Sequence, residues 1–240
     1  MPLGGSGDAV RAPTIDEARA AAQRLCDAAG VTLLPPDHPL RPVIVHAVAA
    51  ASAIGGGGAW DSAHVRDRVS VTLPGAGVAL EALRALPTLG GIAVGRLLAG
   101  IGDAAGLDRD AVVSIAAETW ADPVGLLATV QHELGHVGPI RAGGLPWCLL
   151  LLLSSEVRAA AEAPCYGASM AVLVRLGGWS TAAAAEGAMR SLSGYGLDAD
   201  GMALAAEMIA QHRATLDAGE DLGGVVAEVV SALAAVRGEQ

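Results

Sequence analysis

The chain has 240 residues, a formal net charge of −10 and a hydrophobic content of 52%. This length and apolar content allow one substantial core, so we expect a single domain over residues 14–240, preceded by a glycine-rich, disordered segment over residues 1–13. The negative charge argues against nucleic acid as a partner, because nucleic-acid binding relies on clustered basic residues that release counterions from phosphates.

The sequence shows no signal for secretion or for a membrane span. The first residues have neither the basic start nor the apolar run of a secretory signal. The longest uncharged stretch, Pro42 to Trp60, contains His46 and four consecutive glycines, which suit a membrane span poorly. Three cysteines do not make a disulfide framework. We therefore expect a soluble, cytoplasmic protein without a membrane partner.

In chain order, the first predicted element is a helix. Thr14 and Glu17 form a capping box at its start, and Gly30 can end it. Alternating apolar residues predict strands over residues 68–73 and 112–116. Helical spacing predicts further helices over residues 43–53, 78–86, 88–101, 122–137, 146–164, 167–176, 181–192, 202–216 and 224–236. The expected fold class is α+β and mostly helical, with a small sheet and a helical carboxyl-terminal part.

The helix predicted over residues 122–137 carries two histidines and a glutamate in a metal-binding pattern. Asp122 is a good N-cap and Pro123 a good first residue. His132 and His136 lie one turn apart on the same face, so their ring nitrogens can converge on one ion. Glu133 lies one step around the helix, within reach of a water on that ion. Catalytic zinc usually takes three protein ligands, so a third must come from elsewhere.

Two glutamates of the next predicted helix, over residues 146–164, are candidates for the third ligand. Glu156 falls in an otherwise apolar stripe of that helix. A buried, unpaired carboxylate costs several kcal/mol, and a metal ion is one of the few partners that would offset this cost. Glu162 is the alternative, although it falls on the outer face, where Arg158 can pair with it. Glu156 is therefore the preferred ligand and Glu162 the second choice.

Between Ala121 and Cys165 the chain resembles the gluzincin type of HExxH zinc metallopeptidase. His132, Glu133 and His136 match its motif, and Glu156 matches the glutamate of its second helix by spacing. The residues that follow are similar to the glutamate helix of small predicted metallopeptidases of actinobacteria and their phages. The resemblance implies a compact zincin-like core around a Zn²⁺ ion.

Other positions limit which class of zinc metallopeptidase the chain resembles. Pro139 and Ala142 occupy the places where the metzincin pattern has glycine and histidine, which excludes that class. Ala160 stands where larger gluzincins often have an acid that orients a zinc histidine, so this support must come from another group. By the same resemblance, the strand leading through Ser114 to Glu118 is expected to border the substrate cleft.

These assignments predict a hydrolase that cleaves peptide bonds in a peptide or protein substrate. Zinc would act as the Lewis acid, and Glu133 as the general base that takes the proton of the metal's water. An oxyanion-stabilising group is also needed, and the sequence leaves four candidates open. They are Tyr166, Tyr195, His212 and Arg158.

Two other interpretations remain open at this stage. In the first, the same residues bind zinc in a non-catalytic interaction or assembly protein, where a further ligand such as His212 or Glu162 closes the coordination shell. In the second, the motif is accidental and no stoichiometric metal binds. The sequence does not determine the oligomeric state or the cleavage specificity.

Overall fold

The computed structural model describes residues 11–39, 41–42, 69–74 and 111–239. Most of the predicted disordered segment, residues 1–10, lies outside the described residues, as do the helices predicted over residues 43–53, 78–86 and 88–101.

Helices dominate the described part of the chain, and three short strands form a sheet. This confirms the predicted fold class, a mostly helical α+β fold with a small sheet and a helical carboxyl-terminal part. None of the described helices combines the length and the apolar composition needed to cross a bilayer. The elements are α1 (Ile15–Ala28), β1 (Val31–Leu34), β2 (Val71–Pro74), β3 (Ala111–Ser114), α2 (Pro123–Gly135), α3 (Val137–Leu153), α4 (Ser155–Gly177), α5 (Thr181–Leu192), α6 (Ala199–Asp217) and α7 (Val225–Arg237).

In the described sheet, β3 lies between β1 and β2. It pairs in parallel with β1, where Val31 lies opposite Ala111, and antiparallel with β2, where Val71 lies opposite Ser114. β1 is missing from the sequence prediction, because its four residues are nearly all buried and show no polar alternation.

The predicted helix starts at Thr14 and Asp122 are confirmed. The Thr14 side chain accepts a hydrogen bond from the Glu17 N–H, and the Glu17 carboxylate accepts one from the Thr14 N–H, which completes the capping box. Asp122 accepts hydrogen bonds from the N–H groups of Val124 and Gly125, at 3.1 and 3.0 Å, so the start of α2 is fixed by local chemistry.

The predicted helix over residues 146–164 is wrong at both ends. Its first part belongs to α3, and Ser154 then adopts an extended conformation and caps a new helix by accepting a hydrogen bond from the Val157 N–H. Pro164 does not end this helix but lies inside α4. A proline removes one backbone hydrogen bond and strains the preceding turn, so burial of α4 on both sides outweighs a cost of about 3 kcal/mol.

α4 is shared by two hydrophobic cores. The sheet-side core includes Val172 and Leu176 from the carboxyl-terminal half of α4, and the carboxyl-terminal core includes Ala159, Ala163 and Met170. The sheet-side core also contains buried residues of α1, the sheet, α2 and α7, whereas the carboxyl-terminal core is completed by α5 and α6. The position of α4 is thus fixed from two directions, which matters because it packs against α2, the helix with the histidine motif.

Glu17 ties the start of α1 to the end of α7. Nε and Nη2 of Arg237 donate hydrogen bonds to its two carboxylate oxygens, each at 3.2 Å, and Arg11 forms a further ion pair with it. The hydrogen bond from Arg237 is the main reason that the pKa of Glu17 falls from 4.5 to about 2, and the hydrogen bond from the Thr14 N–H adds to it.

A lowered pKa makes this contact sensitive to acid. Because the pKa is depressed in the folded state, the ionised Glu17 stabilises the fold fully above pH 4.5, and this contribution is lost as the pH falls towards 2. We expect Glu17→Gln to lower the midpoint of thermal unfolding at neutral pH, and the difference from wild type to vanish near pH 2. Glu207→Gln, an exposed change on α6, is the control and should match wild type throughout. A deficit of Glu17→Gln that is the same at all pH values would contradict the assignment.

Candidate metal centre

Three buried side chains from two helices converge at the contact between α2 and α4. Glu162 Oε2 on α4 lies 3.2 Å from Nε2 of His132 and 3.5 Å from Nε2 of His136. The two Nε2 atoms are 3.3 Å apart. The exposed fractions of the residues are 5% for His132, 9% for His136 and 8% for Glu162. This group could hold a metal ion.

The spacing of the donor atoms fits a single ion better than a set of hydrogen bonds. Ligand atoms about 2.0–2.1 Å from a four-coordinate tetrahedral ion lie about 3.3 Å from one another. Oε2 of Glu162 is buried and makes no hydrogen bond with the described residues, although it is close to both imidazoles. Its lone pairs therefore face the point on which the two Nε2 atoms converge.

Electrostatics couple the three groups in the absence of an ion. Burial raises the pKa of Glu162, but the two adjacent imidazoles outweigh burial and hold the pKa below its ordinary value. Burial also lowers the pKa of His136, and contacts with Cys165 and Glu162 more than reverse this, so the net shift is upward. The Glu162 carboxylate is therefore ionised, and the neighbouring imidazoles stabilise its negative charge. A bound cation can stabilise the same charge.

Glu133 lies beside the cluster and is held by the sheet. Oγ1 of Thr72, in β2, is 2.8 Å from Oε2 of Glu133 and also 2.8 Å from its backbone oxygen. Burial is the main cause of a raised pKa for the Glu133 carboxyl group, and the neighbouring histidines partly oppose it. Glu133 is thus more basic than an exposed glutamate and is anchored to a strand outside its own helix.

Cys165 lies behind His136. Its Sγ is 3.6 Å from Nδ1 of His136, the ring nitrogen on the side opposite the cluster, and donates a hydrogen bond to the Ala161 backbone oxygen at 3.2 Å. Burial raises the pKa of the Cys165 thiol. Cys165 and Cys26 are both buried.

Glu156, the preferred third ligand in the sequence prediction, does not join the cluster, and Glu162 takes its place. Glu156 is exposed in the first turn of α4, whereas Glu162 is buried between α4 and α2. The apolar stripe that favoured Glu156 assumed one continuous helix over residues 146–164. Because Ser154 interrupts the helix, the inward face of α3 does not continue into α4. Arg158, the expected partner of Glu162, donates hydrogen bonds to the backbone oxygens of Leu151 and Tyr195 instead.

A cavity of about 620 Å³ opens beside the cluster. His132 and Glu133 line it from α2, Tyr166 lines it from α4, and Tyr195 lines it from the turn after α5. The ring of Tyr166 packs edge-on against His132 with centroids 4.5 Å apart, and its hydroxyl lies 3.3 Å from that of Tyr195. Burial raises the pKa of Tyr166 to about 12 and holds that of Tyr195 well above its ordinary value, so both phenols keep their protons.

Of the four candidates for an oxyanion-stabilising group, only the two tyrosines line this cavity. His212 packs against Gly167 of α4, and burial lowers its pKa. The Arg158 guanidinium donates hydrogen bonds to the backbone oxygens of Leu151 and Tyr195. Neither is among the residues that line the cavity.

The cavity is bordered by the residues just before β2 and by the residue just after the predicted segment from Ser114 to Glu118. Ser70, just before β2, lines the cavity, and Thr72 within β2 contacts Glu133. Ser114 is buried in β3, the central strand of the described sheet, and accepts a hydrogen bond from Arg41. None of the residues from Ser114 to Glu118 lines the cavity, but Thr119, directly after Glu118, does, so the prediction for this segment holds only at its far end.

Sequence reasoning missed Thr72 and Cys165 as parts of the site. Thr72 is far from the motif in the chain, and nothing in the alternation of its strand marks it. Cys165 lies three residues after Glu162 and so shares its face of α4, and this spacing would have favoured the pair once α4 was known to continue through Pro164.

No family model, curated protein or solved structure matches the chain.

The cluster predicts which glutamate supports metal binding. We expect Glu162→Ala to weaken the binding of a divalent ion by at least about tenfold to a hundredfold, since even the groups that support ligands contribute this much. Glu156→Ala removes a carboxylate from the same helix and should bind as wild type does. Metal content by mass spectrometry, with a chelator competition, measures both. Loss of metal from Glu156→Ala but not from Glu162→Ala would overturn the assignment.

Proposed function

We propose that the chain is a zinc-dependent metallopeptidase with a zincin-like core, in which His132, His136 and Glu162 bind Zn²⁺ and Glu133 is the general base. The observation that carries this proposal is the convergence of three buried donor atoms beside a fourth buried residue, Glu133, at the wall of a cavity. The ligand set differs from the sequence prediction only in the glutamate.

The donor set favours zinc over other common divalent ions. Two imidazole nitrogens and one carboxylate oxygen suit zinc, whereas magnesium and calcium prefer oxygen ligands alone. Among the described residues, no fourth histidine, cysteine or acidic donor lies within 4.8 Å of all three donor atoms. This leaves a coordination position for water or substrate, as in catalytic sites. When bound, zinc would supply Lewis acidity and lower the pKa of a coordinated water.

Glu133 is placed for proton transfer rather than for ligation. It follows His132 directly, so its side chain projects from α2 at an angle to the two histidines and reaches the cavity wall. The hydroxyl of Thr72 holds Oε2, which fixes the carboxyl group before substrate arrives. In the proposed reaction this carboxylate takes a proton from the attacking water and returns it to the leaving amine.

The cavity supports a peptide as the substrate. Its volume of about 620 Å³ falls within the range of ordinary small-ligand sites and can hold a short peptide segment. Tyr166 and Tyr195 line it with their phenolic protons retained, and the Tyr166 hydroxyl donates to that of Tyr195, an arrangement suited to stabilising an oxyanion. We assign oxyanion stabilisation to this tyrosine pair.

Replacing the base separates catalysis from metal binding. We expect Glu133→Gln to keep zinc at the wild-type stoichiometry and to lower the hydrolysis of a randomised peptide library by at least about a hundredfold, the lower limit for general base catalysis. Mass spectrometry of the library gives the rates and the cleavage sites. Glu156→Gln, which changes an exposed carboxylate, should cleave as wild type does. A wild type that holds zinc and cleaves no peptide would contradict the proposal and favour a structural zinc protein.

The tyrosine pair can be tested separately. We expect Tyr195→Phe or Tyr166→Phe to lower kcat by about tenfold to a thousandfold with little change in KM, since an oxyanion donor acts mainly in the transition state. His212→Gln changes a candidate that does not line the cavity and should leave kcat unchanged. Steady-state kinetics on a peptide found in the library screen, with zinc content checked for each variant, measures this. Wild-type kcat in both phenylalanine variants would remove the pair from the mechanism.

A further inference from the structure

A thiol occupies the position behind the metal-site histidine His136. Sγ of Cys165 is 3.6 Å from Nδ1 of His136 and 3.2 Å from the backbone oxygen of Ala161, one turn earlier in α4. The residue is only 4% exposed, so water does not compete for either contact. Histidines that bind metals almost always use the other ring nitrogen in a hydrogen bond of this kind, usually to a carboxylate or a carbonyl.

The two contacts of the thiol define the direction of each hydrogen bond. A thiol has one proton, and Cys165 donates it to the Ala161 oxygen. With its proton so engaged, the sulfur is left to act as an acceptor, which matches a tautomer of His136 that carries its proton on Nδ1. When a metal ion takes the place of any proton on Nε2, that nitrogen presents its lone pair on the side of Glu162 and His132. A neutral imidazole with a bare Nε2 is the form that binds a metal ion.

The neighbouring residue on α2 is adapted to the sulfur. A Cβ atom at Gly135 would lie 2.7 Å from Sγ of Cys165, a distance that side chains do not tolerate. The next two atoms that it would meet, Cβ and Cα of Cys165, are at 3.5 and 3.7 Å, which are ordinary contacts. Only the sulfur therefore requires glycine at this position.

We propose that Cys165 is a positioning residue of the metal centre. Its sulfur accepts a hydrogen bond from Nδ1–H of His136 and holds the ring in the tautomer and orientation in which Nε2 binds zinc. The inference rests on the zinc site of the proposed function and does not depend on hydrolysis. Cys165 would thus orient a zinc-binding histidine, the role of the acid that larger gluzincins often have where this chain has Ala160.

Removal of the sulfur should weaken zinc binding, and a hydroxyl should restore it. We expect Cys165→Ala to raise the zinc dissociation constant by about tenfold to a hundredfold, the usual effect of losing a hydrogen bond behind a ligand. Cys165→Ser keeps one donor and one acceptor at the site and should recover most of this loss. Cys26→Ala removes the buried thiol of α1 and is the matched control, with wild-type affinity expected. Chelator competition measures all four proteins, and circular dichroism checks that each is folded.

A double-mutant cycle with Gly135 tests whether the effect passes through the sulfur. Gly135→Ala alone should weaken zinc binding, because its Cβ displaces Sγ from His136. In the Cys165→Ala background the same change meets no sulfur and should have little further effect. Additive effects of the two substitutions would show that Gly135 acts independently of the thiol and would count against the proposal.

Nitrogen-15 NMR of labelled histidine provides a readout that a purely structural role would not change. In zinc-loaded wild type, we expect the Nδ1 proton of His136 to exchange slowly with water, and in Cys165→Ala to exchange faster or shift. Wild-type affinity and an unchanged Nδ1 proton in Cys165→Ala would overturn the inference. A serine variant as weak as the alanine variant would do the same. A wild type that binds zinc without cleaving peptides would remove the proposed catalysis alone, and a wild type that binds no zinc would overturn both.

Discussion

The close packing of α2 against α4 brings a carboxylate on one helix into contact with two imidazoles on the other. An ionised carboxylate with a buried oxygen that makes no hydrogen bond costs several kcal/mol unless an opposite charge lies next to it. Here the imidazoles of His132 and His136 lie next to the carboxylate, and a cation bound between the three groups would supply the opposite charge. Glu133, Cys165 and the two tyrosines are arranged around the point that this contact fixes.

The rest of the fold holds that contact in place. α4 is buried on both sides, by the sheet-side core and by the carboxyl-terminal core, so it cannot shift towards one without losing packing against the other. Gly135 on α2 lets the sulfur of α4 approach closely, and Gly167 on α4 does the same for the ring of His212 on α6. These glycines weaken their helices slightly and allow helix contacts that larger residues would prevent.

The parts of the site that the sequence predicts are those set by local chemistry. Asp122 and Pro123 define where α2 begins, and helical spacing then places His132 and His136 on one face whatever the rest of the chain does. The choice between Glu156 and Glu162 depends instead on which face of α4 meets α2, and a single extended residue, Ser154, resets that face. A proline that local rules treat as a helix end, Pro164, is accommodated by tertiary packing, which no local pattern reveals.

Thr72 shows a different limit, because its role arises from sheet pairing and helix packing together. Nothing near Thr72 in the sequence refers to α2, yet its hydroxyl contacts both the side chain and the backbone of Glu133. The backbone contact forms in the last turn of α2, at a carbonyl oxygen that also accepts a hydrogen bond from the His136 N–H at 3.2 Å. The tyrosines likewise come from two separate elements, and only their packing brings them to one wall of the cavity.

In the proposed enzyme, the contact between Thr72 and Glu133 would also link the binding of substrate to the position of the general base. An extended ligand that added to the sheet along β2 would press on the strand that holds the carboxyl group, so its binding and the alignment of the base would be energetically coupled. A four-residue strand has few hydrogen bonds with which to resist such a displacement. The small described sheet would then determine how far a ligand in the cavity displaces the Glu133 carboxyl group.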